Sequence, residues 1–108
     1  LNQLLLYKIL HQGYPVKVIR ELDGWKKVID FQDRVGWISN SQLSSQDYRI
    51  LKINEEKIHR FPSQNSMVLA IAKKKIIFKI LKCRKQWCKI ERSKIKGWIK
   101  KNSLWGGE

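Results

Sequence analysis

Short apolar runs enriched in β-branched residues and separated by polar breaks give this chain a strand rather than a helix pattern throughout. The clearest run is Ile76-Ile77-Phe78-Lys79-Ile80-Leu81-Lys82-Cys83, rich in β-branched residues and broken by polar Arg84-Lys85-Gln86. It predicts a strand entering a hairpin whose return strand runs from Trp87 to Arg92. A second hairpin is predicted earlier, from Val16 to Leu22 and back through Trp25 to Phe31, with Asp23-Gly24 as its turn. After each hairpin a looser turn, Gln32-Asp33-Arg34 or Ser93-Lys94-Ile95, leads into a Gly-Trp-Ile strand. A short helical turn, Ser39 to Gln42 or Lys100 to Ser103, follows it. Between the two sets, Tyr48 to Ile53 reads as a strand, Asn54-Glu55-Glu56 as a turn, and Lys57 to Pro62 as a strand ended by its proline. The fold class predicted is all-β.

The pattern is a repeat. A shift of 62 residues lays Val16-Lys17-Val18-Ile19-Arg20 on Phe78-Lys79-Ile80-Leu81-Lys82, and Trp25-Lys26-Lys27-Val28 on Trp87-Cys88-Lys89-Ile90. Gly36-Trp37-Ile38 and Leu43 then match Gly97-Trp98-Ile99 and Leu104 at an offset of 61, a one-residue deletion in the intervening loop. The chain therefore divides into a first unit, residues 1–46, and a second, residues 47–108. Ile58 shifted by 62 falls before Leu1, so the first unit lacks an equivalent of the opening strand. Either upstream sequence is missing or Tyr48 to Ile53 completes the first sheet; missing sequence, with that strand bridging the units, is the favoured reading. Leu1 is not an initiator methionine, so the chain is read as processed or as a fragment. Two copies of one small β unit point to a binding module rather than a single active site.

Composition narrows the partners. At 108 residues the core is modest, yet 43% hydrophobic residues and five tryptophans are enough for a folded chain despite 30% charged residues. The formal charge is +14, which implies anionic partners, an anionic surface or simply a lysine-rich proteome, and charge alone does not choose among them. It is unevenly spread: Leu1 to Ser44 holds six basic and four acidic residues, leaving +12 for the remainder. The run Leu4-Leu5-Leu6-Tyr7 is far shorter than the ~18 apolar residues of a spanning helix, so no membrane span is expected.

The doubled order of apolar strand, turn, Trp-x-x-Val or Trp-x-x-Ile, loop, Gly-Trp-Ile and closing leucine resembles the bacterial SH3 family of cell-envelope proteins, as does the opening Ile58-His59-Arg60-Phe61-Pro62-Ser63. The resemblance implies two tandem SH3-like barrels, the first lacking its opening strand, and a periplasmic or extracytoplasmic location. The chain departs from the polyproline-binding branch. Trp25 and Trp87 hold that branch's tryptophan position, but its groove proline is replaced by Ser39 and Lys100, and its second tyrosine by Gln42 and Ser103. Proline-rich ligands are not expected.

Cys83 and Cys88 flank the second hairpin turn on opposite strands, where facing α-carbons lie about 5.5 Å apart, within the span of a disulfide. In an oxidising envelope the pair is expected to close; in a reduced cytosol it would be two small buried hydrophobes. The spacing is not Cys-x-x-Cys, and no metal-ligand set, phosphate loop or carboxylate pair accompanies it, so no metal or cofactor is predicted. A papain-like thiol site would need a base and its orienting partner. His11 and His59 have no acidic residue beside them in sequence and are read as solvated; no catalysis is expected.

Trp37 and Trp98 are assigned to packing and Trp105 to a cap over the last barrel. Trp25 and Trp87, each following a hairpin turn, are the candidate ligand platforms, since aromatic faces suit sugars, peptides and nucleobases alike. With Lys79, Lys82, Arg84 and Lys89 they form the predicted site. One reading is a non-catalytic envelope module that recognises peptidoglycan or a wall-associated peptide or protein. The alternative is a basic SH3-like barrel binding nucleic acid, with lysines on phosphates and Trp87 stacked on a base.

Overall fold

A computed structural model describes residues 14–43 and 46–106. They form ten strands and two single 3-10 turns. In chain order the strands are β1 (Val16–Leu22), β2 (Trp25–Asp30), β3 (Val35–Ser39), β4 (Tyr48–Leu51), β5 (Glu55–His59), β6 (Val68–Lys73), β7 (Ile77–Arg84), β8 (Trp87–Arg92), β9 (Ile95–Lys100) and β10 (Leu104–Trp105). The 3-10 turns, Asn40–Gln42 and Lys101–Ser103, follow the Gly-Trp-Ile strands as the repeat requires. Among the described residues no helix is long and apolar enough to cross a membrane.

The strands divide between two sheets. The first is the antiparallel meander β1-β2-β3, and the second has the order β10-β4-β7-β8-β9-β5-β6. The strand predicted from Tyr48 to Ile53 ends at Leu51 and belongs to the second sheet, where β4 pairs with both β7 and β10. Strand β5 begins at Glu55, inside the predicted turn, and closes at His59 before the proline. The pattern reading named no strand at β6, a nearly uninterrupted apolar run that pairs with β5 at the sheet edge.

Every strand of the second sheet sends a side chain into one core. Leu51, Ile58, Ala72, Phe78, Ile80, Cys88, Ile90, Ile99 and Leu104 are buried together, so the sheet wraps around its own apolar face as a small barrel does. The corresponding cluster of the first sheet is Val28 and Ile38, with Val16, Val18 and Leu43 packed against them. The two copies share an irregularity as well as a pattern. Register slips between Val18 and Arg20 in the first hairpin and between Ile80 and Lys82 in the second, so each carries a bulge at the same place. The extra residue, Leu81 in the second copy, lets Lys82 rather than Leu81 pair across from Lys89.

Gly97 is where the barrel closes most tightly. A Cβ there would lie 2.6 Å from Ile58 Cγ2 and 2.8 Å from the His59 carbonyl oxygen, so β9 can approach β5 only without a side chain.

Candidate ligand-binding face

The outer face of the second hairpin follows from its register, because residues directly opposite in antiparallel strands share a face. Arg84 pairs with Trp87, which pairs with Lys100; Lys82 pairs with Lys89, which pairs with Trp98, which pairs with His59. One step along, Lys79 pairs with Glu91, which pairs with Lys96. Cys88, Ile90 and Ile99 point the other way, into the core. Five of the six predicted ligand residues, Lys79, Lys82, Arg84, Trp87 and Lys89, therefore stand on one face of adjacent strands. The sixth, Trp25, stands at the hairpin end of the first sheet and is 41% exposed.

The cations on this face are mostly without carboxylate partners. Lys96 reaches Glu91 at 3.7 Å, but among the described residues no carboxylate forms an ion pair with Lys79, Lys82, Arg84, Lys89 or Lys100. Instead Lys82 Nζ and the Arg84 guanidinium lie 5.8 and 5.7 Å from the centre of the Trp98 ring, as cations held over an aromatic face do. Trp98, expected to pack, is 7% exposed beneath this cationic cover.

Trp87 forms part of a depression of about 320 Å³ lined also by Gln64, Gln86, Lys100 and Asn102. Gln64 comes from the loop after Pro62, Gln86 from the hairpin turn, and Lys100 and Asn102 from the end of β9 and the 3-10 turn. Only Lys100 was legible in the sequence, as the replacement for the groove proline. Pro62-Ser63, just past the matched opening strand, was the available pointer to Gln64.

His59 differs from expectation. It is 4% exposed rather than solvated, with its ring edge-on to Trp87 at 5.4 Å between centroids. Its Nδ1 lies 3.2 Å from the Ser66 carbonyl oxygen, which can accept only from a protonated Nδ1, so the contact fixes the tautomer. Its role is to back the Trp87 ring. The pairing of Trp98 with His59 brings β5 beneath the platform, a long-range contact that local patterning does not contain. His11 lies outside the described residues.

A disulfide joins Cys83 and Cys88, opposite each other in the β7–β8 register with α-carbons 4.0 Å apart. That is nearer than the 5.5 Å expected and lies on the side of the closely spaced, non-hydrogen-bonded pairs of an antiparallel ladder. Cys88 is fully buried and Cys83 exposed, so the bond anchors the outer end of the hairpin to the core.

The equivalent depression of the first sheet is larger and more open, about 610 Å³, and is lined by Glu21, Leu22, Asp23, Gly24, Trp25, Lys26 and Asn40. Lys26 Nζ and Glu21 Oε1 form an ion pair at 2.6 Å within it.

Comparison with known proteins supports the architecture. No curated sequence matches the chain at a significant level. Among solved structures, NlpC2 from Trichomonas vaginalis has a similar fold, with a TM-score of 0.53 and 18% sequence identity. The likeness covers 85% of this chain but 35% of that protein, so this chain spans about a third of its length. The family model for the bacterial SH3 domain matches in two segments, residues 5–45 and 53–106, which together cover nearly the whole chain. The chain belongs to the bacterial SH3 domain family.

Proposed function

We propose that this chain is a non-catalytic binding module of the bacterial cell envelope that recognises peptidoglycan or a wall-associated peptide or protein, with the outer face of β7, β8 and β9 as its contact surface. The observation that carries this reading is the coincidence of an accessible indole, Trp87, with Lys79, Lys82, Arg84, Lys89 and Lys100 on the same face, none of which has a carboxylate partner among the described residues. An aromatic ring receives the flat or apolar body of a sugar or peptide, and neighbouring cations receive its anionic groups. A depression closed by glutamine and asparagine side chains adds neutral hydrogen-bonding groups of the kind such ligands require. Cys83 and Cys88 are already placed to bond, which suits an oxidising extracytoplasmic compartment. In that setting Trp25 is a second, more exposed platform, and two linked platforms engaging one polymer gain avidity.

Co-sedimentation of the purified chain with peptidoglycan sacculi tests the reading. It is run at low and moderate salt, with a nucleic-acid competitor in parallel. Retention that survives both is expected, and Trp87→Ala is expected to weaken it about tenfold, the scale of one lost aromatic stacking contact. Loss to the competitor, with affinity falling by roughly 10³-fold between 50 and 200 mM salt, would instead place phosphates on the lysine face.

A further inference from the structure

The two tryptophan platforms are built on the same register but have different neighbours. Trp25 pairs with Leu22 on one side and Ser39 on the other. Trp87, at the matching position, pairs with Arg84 on one side and Lys100 on the other. Cross-strand neighbours stand about 5 Å away on the same face, near enough to touch whatever lies on the indole. The surroundings extend the contrast. Beside Trp25 are Asp23, in the turn, and the ion-paired Glu21 and Lys26; beside Trp87 the corresponding turn holds Lys85 and Gln86. Repeat symmetry in the backbone is thus combined with different charges directly beside the two indoles, while the next rung, Arg20–Lys27–Trp37 or Lys82–Lys89–Trp98, is basic in both copies.

We infer that the two copies are unequal ligand sites: Arg84, Trp87 and Lys100 form, in the second copy alone, a clamp for a carboxylate-bearing chain, which the Trp25 platform does not take. The source of the carboxylate, a wall peptide, rests on the function proposed above; the clamp itself rests only on the register and charges. The planar guanidinium of Arg84 suits two parallel hydrogen bonds to a carboxylate, and the Lys100 ammonium adds a mobile donor across the ring. Neither has a carboxylate partner among the described residues, so a ligand need not displace one. At Trp25 the leucine and serine offer no cation, and Asp23 repels an approaching anion.

Exchange of neighbours between the copies tests this in the full chain. Arg84→Leu with Lys100→Ser gives Trp87 the surroundings of Trp25, and Leu22→Arg with Ser39→Lys does the reverse. The first probe is soluble poly-L-glutamate at 150 mM salt, read by tryptophan fluorescence. A control, Lys74→Ser with Lys94→Ser, removes the same charge from exposed turns that precede β7 and β9, at the opposite ends of those strands from Arg84 and Lys100. The clamp predicts about tenfold weaker binding for the first exchange than for the control, and a gain for the reverse exchange. Equal losses in exchange and control, or no gain in the reverse exchange, overturn it.

The second probe is sacculi before and after amidation of their peptide carboxylates. Retention that falls on amidation in the wild type, but hardly changes in the first exchange, assigns the wall peptide as the source. Wild-type retention indifferent to amidation overturns that source. Failure to sediment with sacculi at all, beside intact poly-L-glutamate discrimination, removes the wall reading and leaves the clamp standing.

Discussion

At the scale of single residues, the two copies carry opposite charges at one repeat position and use them differently. Asp30 ends β2 fully buried; its Oδ1 accepts the backbone N–H groups of Gln32 and Arg34, both at 2.9 Å, and its Oδ2 accepts Arg34 Nε at 2.6 Å. A shift of 62 residues reaches Arg92, whose Nη1 donates to the Ile77 carbonyl at 2.9 Å. Asp30 thus ties down the turn that delivers β3, whereas Arg92 ties the end of β8 to the start of β7. Asp30→Ala strands two backbone donors and frees a half-buried arginine, and is expected to cost about 3 kcal/mol in urea unfolding. Gly97→Ala is expected to cost about 2 kcal/mol or more, because its Cβ would meet β5 backbone as well as the Ile58 side chain. Unchanged midpoints in these two variants would show that loop and strand contact relax without loss.

At the scale of elements, hairpins were legible because their determinants are local. Apolar runs rich in β-branched residues, Asp23-Gly24 and the polar break at Arg84-Lys85-Gln86 place both hairpins to within a residue or two. Strand β6 escaped because Val68 to Ala72 is apolar without alternation, and its exposed Val68, Leu69 and Ile71 give no inside-outside contrast. The repeat boundary put β4 in the second unit, but not beside the strands it pairs with. Its partners β7 and β10 are distant in sequence, and pairing choice at that range is decided by tertiary packing rather than by pattern. The same holds for the site: the cations and Trp87 could be named from the sequence, whereas His59 against Trp87 and Gln64 in the depression depend on β5 crossing beside β9. The Cys83–Cys88 bond closes a very short loop, so the unfolded chain loses little entropy to it. Reduction is expected to lower stability by about 2 kcal/mol, measured by urea unfolding with and without a dithiol reductant.

At the scale of the whole molecule, the two sheets meet through a small aromatic junction. The chain extends 45 Å along its longest axis against 23 and 22 Å across. Phe31, just after β2, meets Trp105 of β10 edge-to-face at 5.6 Å, and Lys17 Nζ of β1 stands 5.0 Å from the same indole. Trp105, read in sequence as a cap over the last barrel, lies on the edge strand β10 opposite Ile50, and the other sheet meets its ring. Gly106 completes the contact: a Cβ there would lie 2.9 Å from Pro15 Cβ and 3.2 Å from the Tyr48 carbonyl oxygen. The dependence on this junction is unequal. Among the described residues, the first sheet has a core of two fully buried residues and leans on Trp105, whereas the second encloses a core supplied by all seven of its strands. Phe31→Ala removes the first sheet's half of the aromatic pair and leaves the second sheet's residues in place. It is expected to raise amide exchange throughout β1, β2 and β3 by a factor corresponding to about 1 kcal/mol, with β7, β8 and β9 unchanged. Equal acceleration in both sheets would make them one cooperative unit. No change in either would reduce the junction to a contact without coupling, and the two platforms would then be free to meet a polymer independently.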